Sequence, residues 1–301
     1  MMPKLFIRLV GGFGARLLPL LQTLAATEES GHQPVICWPQ STGGFGECQG
    51  RKREQSFEAH LLDLYDFDDD LTYTSESNFF AKAEIHPYYP LKHTQNLDGS
   101  GKSPVYLSDH ASSDLCISAH GVYLLNPDSL GRTNLDVAPL RDLYHRTFKI
   151  KEPQQNIYNS IAPKLQERHT VGVYIRQSRG ANHQVLAWDA QSMLLPKMQE
   201  HVDQDNSQFF VVCDDREIMR KLVNCFGSRI ITTPKPGVVN HPEEMLSITT
   251  DIALMRLVDV YYPTWGSWLG KLFGLVRMGD GRENPLGWGF GRDVYGQELM
   301  T

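Results

Sequence analysis

The sequence predicts an α/β fold with two domains, each built on a parallel sheet flanked by helices. Three observations lead to this prediction. A glycine-rich turn joins an apolar β segment to a helix near the N-terminus, and short apolar runs alternate with helix-length segments in the second half. A chain of 301 residues with 41% hydrophobic content can also bury two medium-sized cores. We therefore expect two Rossmann-like domains that face each other across a cleft.

The charge balance argues against nucleic acid as the partner. The chain has 29 Lys and Arg residues against 35 Asp and Glu residues, a net charge of −6, without a basic stripe. Binding to duplex nucleic acid requires clustered cations. A small-molecule substrate is the better expectation.

The cysteine pattern and the N-terminal segment favour a soluble cytoplasmic chain. Five cysteines without CxxC spacing fit a reducing compartment better than a disulfide framework or a structural zinc site. The first ten residues, MMPKLFIRLV, lack a following signal-peptide cleavage pattern, and no run approaches about 18 apolar residues. We expect no targeting or transmembrane segment.

The N-terminal domain, 1–150, opens with a βαβ unit. Residues 4–10 form an apolar β segment, a helix-spaced apolar series follows the glycine turn and stops at Gly31, and PVICW (34–38) is a second strand. The stretch 42–113 is rich in glycine, proline and acidic residues and is expected to be a loop-rich insertion. Helical periodicity then returns through Leu140, Leu143, Tyr144 and Phe148.

The C-terminal domain, 151–301, is more regular, and KEPQQN (151–156) is expected to link it to the first domain. Expected strands are 171–176, 209–214, 229–234 and 258–263. Expected helices lie around 192–202, at 216–227, through Ile252, Met255 and Leu257, and at 266–276. This order gives a second β/α array.

Ligands of open α/β sheets bind beyond the carboxyl ends of the strands. Four segments occupy such positions: Gly11 to Arg16, Tyr174 to Asn182, Asp214 with Asp215, and Thr264 to Trp268. The first is either a plain tight turn or a place where a substrate approaches bare backbone. Arg176 could bind phosphate oxygens in a forked geometry or form a structural ion pair. Asp214 could accept hydrogen bonds from a guanine or a ribose, or cap the helix that follows.

These segments together resemble the GDP-fucose-dependent fucosyltransferase superfamily, most closely its bacterial nodulation α-1,6-fucosyltransferase branch and more distantly the α-1,2- and protein O-fucosyltransferases. The similarity is carried, in order, by GGFGARLLPLLQTLAA, VGVYIRQSRG, FFVVCDDREIMRKLVNCFGSRIITTPK and DIALMRLVDVYYPTWGSW. The sequence departs from the family pattern at Tyr174, where the family has histidine, at Ala15-Arg16, and in the last turn, which reads TWGSW.

The resemblance implies a GT-B-like fold, with the nucleotide sugar in the C-terminal domain and the acceptor on the side of the N-terminal domain. It implies inverting transfer without a metal or another cofactor, GDP-fucose being the donor substrate. Arg176 would be the catalytic residue that holds the diphosphate. The expected donor-binding residues are Gly12, Gly14, Arg16, Tyr174, Arg176, Asp214, Asp215, Thr264, Gly266 and Ser267.

The expected function is transfer of fucose from GDP-fucose to a hydroxyl of a glycan or glycolipid. Two alternatives stay open: the same fold acting on another nucleotide sugar, and a catalytically silent glycan- or nucleotide-binding protein, suggested by Tyr174 and Ala15. The general base is not identifiable from the sequence, and Glu47, Asp109 and His110 are candidates by location alone. The sequence does not indicate the oligomeric state.

Overall fold

The computed structural model describes residues 2–40, 47–48, 51–52, 59–67, 71–91, 105–119, 138–176, 194–235, 242–263 and 267–277. The chain divides into two compact units. Unit 1 is Met1–Lys149 with Val239–Pro242, and unit 2 is Ile150–Val238 with Glu243–Thr301. Each unit contains a parallel sheet and helices, which confirms the predicted α/β class.

Unit 1 contains strands that are mostly short and helices of very different length. Its strands are β1 (Lys4–Leu9), β2 (Gln33–Cys37), β3 (Glu47–Cys48), β4 (Arg51–Lys52), β5 (Tyr65–Asp66), β6 (Thr72–Thr74), β7 (Tyr88–Leu91) and β8 (Leu115–Ala119). The helices are α1 (Phe13–Ser30), α2 (Leu61–Leu64), α3 (Glu76–Ala83) and α4 (Ala138–Thr147), with a 3₁₀ turn at Leu107–His110. Strand β9 (Lys149–Ile150) lies at the division between the units and pairs with β5.

The main sheet of unit 1 has the order β6-β2-β1-β8-β7, and all its neighbouring strands are parallel. The central strand β1 pairs with β2 through Phe6 and Val35 and with β8 through Phe6 and Cys116. These three side chains are buried together with Phe79 of α3. The apolar character of β1 and β8 follows from their central position, because both faces of a parallel sheet are covered.

The segment 42–113 contributes more to the sheet than its composition predicts. It supplies the two edge strands β6 and β7 and the helix α3. Strand β8, with the sequence LCISA, was missed altogether by sequence reasoning, although all five of its residues are buried. Five apolar or small residues between polar segments give too weak a periodic signal.

The glycine turn after β1 adopts the geometry that α1 requires. Gly11 has a φ of +93°, which disfavours any residue with a Cβ. Gly12 is extended and precedes the first helical residue, Phe13. The helix ends at Gly31, which is left-handed with a φ of +72° and donates its backbone N–H to the Thr27 carbonyl at 3.0 Å. The stop predicted at Gly31 is confirmed.

Unit 2 repeats the alternation of strands and helices. Its strands are β10 (Thr170–Ile175), β11 (Gln208–Cys213), β12 (Ile230–Ile231) and β13 (Val260–Tyr262). The helices are α5 (Glu152–Gln166), α6 (Leu195–Asp205), α7 (Arg216–Phe226), α8 (Pro242–Met255) and α9 (Trp268–Arg277). The expected linker at 151–156 is wrong, because α5 begins at Glu152, with a proline in its first turn, where that residue is tolerated.

The sheet of unit 2 has the order β12-β11-β10-β13, again with parallel neighbours. The strand expected at 229–234 is only two residues long, since a 3₁₀ turn occupies Gly227–Arg229 before it. Gly172 in β10 allows close packing: a Cβ there would lie 2.5 Å from Met255 Sδ and 2.8 Å from Val258 Cγ2. The end of α8 therefore packs directly on the backbone of the central strand.

None of the helices in the described residues is both long enough and apolar enough to cross a membrane.

Candidate functional site

The candidate site of unit 2 lies where β10 and β11 end and α9 begins. Tyr174 and Arg176 come from the end of β10, Asp214 follows β11, and Ser267 precedes α9. Because β10 and β11 are parallel neighbours, their carboxyl ends share one edge of the sheet. A contact between Tyr174 and Ser267 brings the start of α9 to the same edge.

Tyr174 is buried and connects β10 to the start of α9. Its hydroxyl lies 3.2 Å from Ser267 Oγ, and its ring packs edge-on against Phe273 with 5.1 Å between centroids. Burial raises the pKa of Tyr174, so the phenol is neutral at physiological pH. Tyr174 therefore supplies a hydrogen-bonding hydroxyl and apolar surface. The family that the sequence resembles has a histidine, with its ionisable imidazole, at this position.

Arg176 is exposed immediately after β10. Interaction with Tyr174, opposed by burial and supported by the Asp214 carboxylate, raises the pKa of Arg176 above its ordinary value. The guanidinium is therefore a permanent positive charge at the carboxyl edge of the sheet. Asp214 is also exposed, and its backbone N–H donates to the Ile175 carbonyl at 3.4 Å.

The two neighbouring aspartates have different surroundings. Asp215 caps α7, because its Oδ1 accepts hydrogen bonds from the backbone N–H groups of Glu217 at 2.8 Å and Ile218 at 2.9 Å. The capping role considered for Asp214 thus belongs to Asp215. Both carboxylates were expected to bind the donor. The Asp215 carboxylate caps the helix, and the Asp214 carboxylate does not take part in that cap.

Ser267 provides the polar start of α9. Its Oγ accepts from the Gly270 N–H at 3.4 Å, and its carbonyl accepts from the Lys271 N–H at 3.0 Å. The Lys271 ammonium lies 4.2 Å from the centroid of the Trp268 ring, and burial lowers the pKa of Lys271 to about 8. Thr264 and Gly266, also expected to bind the donor, lie outside the described residues.

In unit 1, the expected residues Gly12, Gly14 and Arg16 have different environments. Gly12 is exposed, and a Cβ there would meet no atom within 4 Å. Gly14 is buried in the first turn of α1. Open space beside the Gly12 backbone is compatible with a nearby ligand.

The Arg16 side chain is fully buried. Its Nε donates to the Gly11 carbonyl at 2.8 Å, a terminal nitrogen donates to the Pro39 carbonyl at 2.6 Å, and the guanidinium lies 5.0 Å from the centroid of Trp38. Burial, with a smaller contribution from Arg8, lowers the pKa of Arg16 to about 9. These contacts tie the ends of β1 and β2 together, so the described contacts of Arg16 are structural.

The structure gives little support to the general-base candidates. His110 lies before β8, and its carbonyl is 3.2 Å from Nε2 of His32, the residue before β2. Both residues precede their strands, which puts them at the amino edge of the unit 1 sheet, away from the edge where ligands bind. The neighbouring Asp109 is exposed in the same 3₁₀ turn. Glu47 begins the short strand β3.

Sequence reasoning missed a buried ion pair near the candidate site. The Asp251 carboxylate of α8 is fully buried, contacts the Lys235 ammonium, and accepts from the Thr233 hydroxyl at 2.5 Å. Burial raises the pKa of Asp251, while Lys235 opposes that shift. Thr233 and Lys235 follow β12, so the pair lies beyond the carboxyl end of that strand. In the sequence, this ion pair is indicated by Asp251, a single acidic residue within the otherwise uncharged helix segment SITTDIALM.

Two units with parallel sheets and a polar cluster at the carboxyl edge of the second define the class as an α/β protein of the GT-B-like kind. Solved structures with a similar fold include fucosyltransferases. NodZ from Bradyrhizobium has a TM-score of 0.56 at 14% identity, with 92% of this chain and 94% of that chain covered. NodZ α-1,6-fucosyltransferase co-crystallized with GDP has a TM-score of 0.56 at 15% identity, with coverage of 92% and 93%.

A more distant similarity reaches a plant enzyme. A mutant of Arabidopsis thaliana FUT1 in complex with GDP has a TM-score of 0.55 at 10% identity, covering 92% of this chain and 69% of that chain. The resemblance and the GT-B-like fold predicted from the sequence are thereby confirmed at the level of fold. No protein-family model matches the sequence, and no curated protein does either.

Proposed function

We propose that this chain is a glycosyltransferase that moves fucose from GDP-fucose to a hydroxyl group of a glycan or glycolipid, with inversion and without a metal ion. The observation that supports this proposal is the grouping of Tyr174, Arg176, Asp214 and Ser267 at one edge of the unit 2 sheet. Unit 2 would bind the nucleotide sugar, and unit 1 would lie on the acceptor side.

The diphosphate of the donor would interact with Arg176 and with the start of α9. A guanidinium can donate two parallel hydrogen bonds to phosphate oxygens. The first turn of a helix adds backbone N–H groups and a favourable dipole. When the Tyr174 phenol donates to Ser267 Oγ, the Ser267 hydroxyl keeps its own proton and can donate it to a phosphate oxygen.

Asp214 would recognise the guanosine. A carboxylate accepts hydrogen bonds only, and guanine presents a ring N–H and an amino group as neighbouring donors, while ribose presents hydroxyls. Asp214 is exposed and lies directly after β11, at the carboxyl edge of the sheet where this interaction would occur. Asp215 would act indirectly, by fixing the start of α7.

The residues fit a reaction in which the bond between the sugar and the diphosphate breaks as the acceptor oxygen attacks from the opposite face. The electron pair of the breaking bond stays with GDP, and positive charge develops at the anomeric carbon. Arg176 would stabilise the departing negative charge, a contribution of about 3–4 kcal/mol for a pre-organised donor. The hydroxyl proton leaves to a base that we do not assign.

Two other functions remain as alternatives to be tested. One is the same chemistry on another nucleotide sugar. The other is a silent nucleotide- or glycan-binding protein, and a specific observation favours it: Tyr174 is buried and neutral, so the position supplies no cation to the transition state.

The experiment compares ligands and turnover. Binding of GDP, GMP and UDP to the purified chain is measured by calorimetry, and hydrolysis of GDP-fucose is measured in parallel. Tightest binding of GDP together with turnover supports the proposal. Preference for UDP supports another donor, and GDP binding without hydrolysis or transfer supports the silent protein.

We also propose a cytoplasmic location. The cysteines whose side chains the structure describes, Cys37, Cys116, Cys213 and Cys225, are free thiols, and Cys225 is exposed. Free exposed thiols are typical of reducing compartments. Fractionation of cells that express the chain tests this, and recovery in a secreted or membrane fraction would contradict it.

A further inference from the structure

Two histidines and an aspartate converge at the opposite edge of the unit 2 sheet from the candidate donor site. His169 directly precedes β10, while His201 and Asp205 lie one turn apart at the end of α6. Each residue offers one potential ligand atom, and these three atoms lie within 4.8 Å of one another. Since α6 ends where β11 begins, the cluster is at the amino edge of the sheet.

Each imidazole has one ring nitrogen engaged by a neighbouring hydroxyl. His169 Nδ1 is 2.8 Å from Ser207 Oγ, and His201 Nε2 is 2.9 Å from the Tyr262 hydroxyl. If these nitrogens carry the ring protons, Nε2 of His169 and Nδ1 of His201 carry lone pairs. This arrangement matches the usual support of metal-binding histidines, which donate their second N–H to an oxygen nearby.

The lone pair of His201 lacks a partner of its own. His201 Nδ1 is buried without a hydrogen bond and lies 3.6 Å from the Asp205 carboxylate. An imidazole lone pair and a carboxylate repel each other unless a proton or a metal cation lies between them.

The turn that carries the cluster is held in place. Asn206 adopts a left-handed conformation with a φ of 51°, and Ser207 donates its N–H to the His201 carbonyl at 3.3 Å. Arg229 donates to the carbonyls of Asn206 and Ser207 at 3.1 and 3.0 Å. The end of α6 and the hydroxyl of Ser207 are therefore fixed before any ligand binds.

We propose that His169, His201 and Asp205 bind a divalent transition-metal ion, with zinc as the best match. Two imidazole nitrogens and one carboxylate oxygen are a common three-ligand zinc set, with water in the fourth position. Tetrahedral zinc needs ligand atoms about 3.4 Å apart, given bonds of about 2.0–2.1 Å. The separation of 3.6 Å between His201 Nδ1 and Asp205 Oδ2 is close to that value. All three ligand atoms lie within 4.8 Å of one another, so the side chains have to move closer by at most about 1.4 Å to bind the ion.

The bound ion would tie the start of β10 to the end of α6. The metal site is separate from the proposed donor site, because the donor residues lie at the other end of β10. Binding to the folded chain alone stabilises it by mass action. At a free zinc concentration of a hundred times Kd, the midpoint of thermal unfolding should rise by about 5–10 °C.

The test uses the full chain without a histidine tag, stripped of metal and titrated with zinc in a calorimeter. We expect one ion per chain. His201→Gln and Asp205→Asn should each weaken zinc binding by at least roughly 100-fold, and Tyr262→Phe, which removes only the supporting hydroxyl, by about tenfold. Asp203→Asn is the matched control, since Asp203 accepts from Gln199 on the same helix and should leave binding unchanged.

Cobalt provides a second measurement that does not depend on variants. Co²⁺ in the unaltered chain should give the intense visible absorption of a four-coordinate ion, and zinc should displace it. Absence of binding by the unaltered chain, or equal affinity in the Asp203, His201 and Asp205 variants, would overturn the proposal. GDP affinity should not change with zinc, so failure here is distinguishable from failure of the proposed donor site.

Discussion

Replacing Arg176 by alanine isolates the contribution of one exposed cation at the end of β10. The side chain is exposed, so its removal leaves no cavity, and the free energy of unfolding should fall by much less than on truncation of a core residue. The pKa of Arg176 is raised by Tyr174 and Asp214, so the wild-type charge is present at every working pH. The guanidinium therefore contributes no pH dependence of its own between pH 6 and 9.

The size of the effect follows from the interactions that the guanidinium would make. One charge-assisted hydrogen bond contributes about 1.5–3 kcal/mol, so the Kd for GDP should rise roughly 10- to 100-fold. Stabilisation of the departing diphosphate would add to this in the transition state. A loss of about 3–4 kcal/mol there corresponds to a reduction of kcat/KM by about 10²- to 10³-fold.

Arg168→Ala is the matched control. Arg168 is exposed before β10, and Arg176 is exposed after it, so both variants lose the same charge from opposite ends of one strand. Titration calorimetry with GDP and thermal unfolding are measured for both. Unchanged GDP affinity in Arg176→Ala, with a loss of stability comparable to a core truncation, would make Arg176 a structural ion-pair residue and refute the assigned role.

Three further predictions concern the same edge of unit 2. Ser267→Ala should raise the Kd for GDP roughly 10- to 100-fold, and Gly266→Val should raise it further by blocking the donor sterically. Titration calorimetry measures both, and unchanged GDP affinity in the two variants would mean that this turn only begins a helix. Transfer should persist in excess EDTA, provided the chain stays folded, and activity that requires added Mn²⁺ or Mg²⁺ would contradict metal independence. The pKa of Lys271 is lowered to about 8 from 10.5 by burial, so the charged ammonium destabilises the folded chain below about pH 8, and this penalty is relieved as pH rises from about 8 to 10.5. The unfolding free energy of wild type should therefore rise relative to that of Lys271→Met over that interval, and a constant difference between the two would contradict the shift.

Local patterns predicted the elements around the candidate site, while pairings across long stretches of chain were not predictable. The ends of β10 and β11 could be read from short apolar runs followed by Arg176 and Asp214. The contact between Tyr174 and Ser267 joins residues 93 positions apart, and no local spacing encodes it. The same limit applies to Arg16, whose buried partners include a carbonyl 23 residues away.

The capping residue and the histidine cluster were not predicted, because they depend on backbone dihedral angles and on which residues the fold brings into contact. Asp214 and Asp215 are adjacent and chemically equal, and only the dihedral angles at the start of α7 decide that Asp215 is the cap. The histidine cluster gave no sequence motif, since His169 precedes β10 whereas His201 lies in the later helix α6. The aspartate was visible only as an i, i+4 partner of His201 on a charged helix.

The sheet order of unit 1 has a consequence for how the chain folds during synthesis. The central strand β1 is made first, but its neighbour β8 begins more than a hundred residues later, as the bond between Lys4 and Asp114 illustrates at a separation of 110 positions. Closing such a long loop is entropically costly and slows folding. Until residue 119 has left the ribosome, β1 has one unpaired edge, and such an edge is a place where a nascent chain can pair wrongly with another chain.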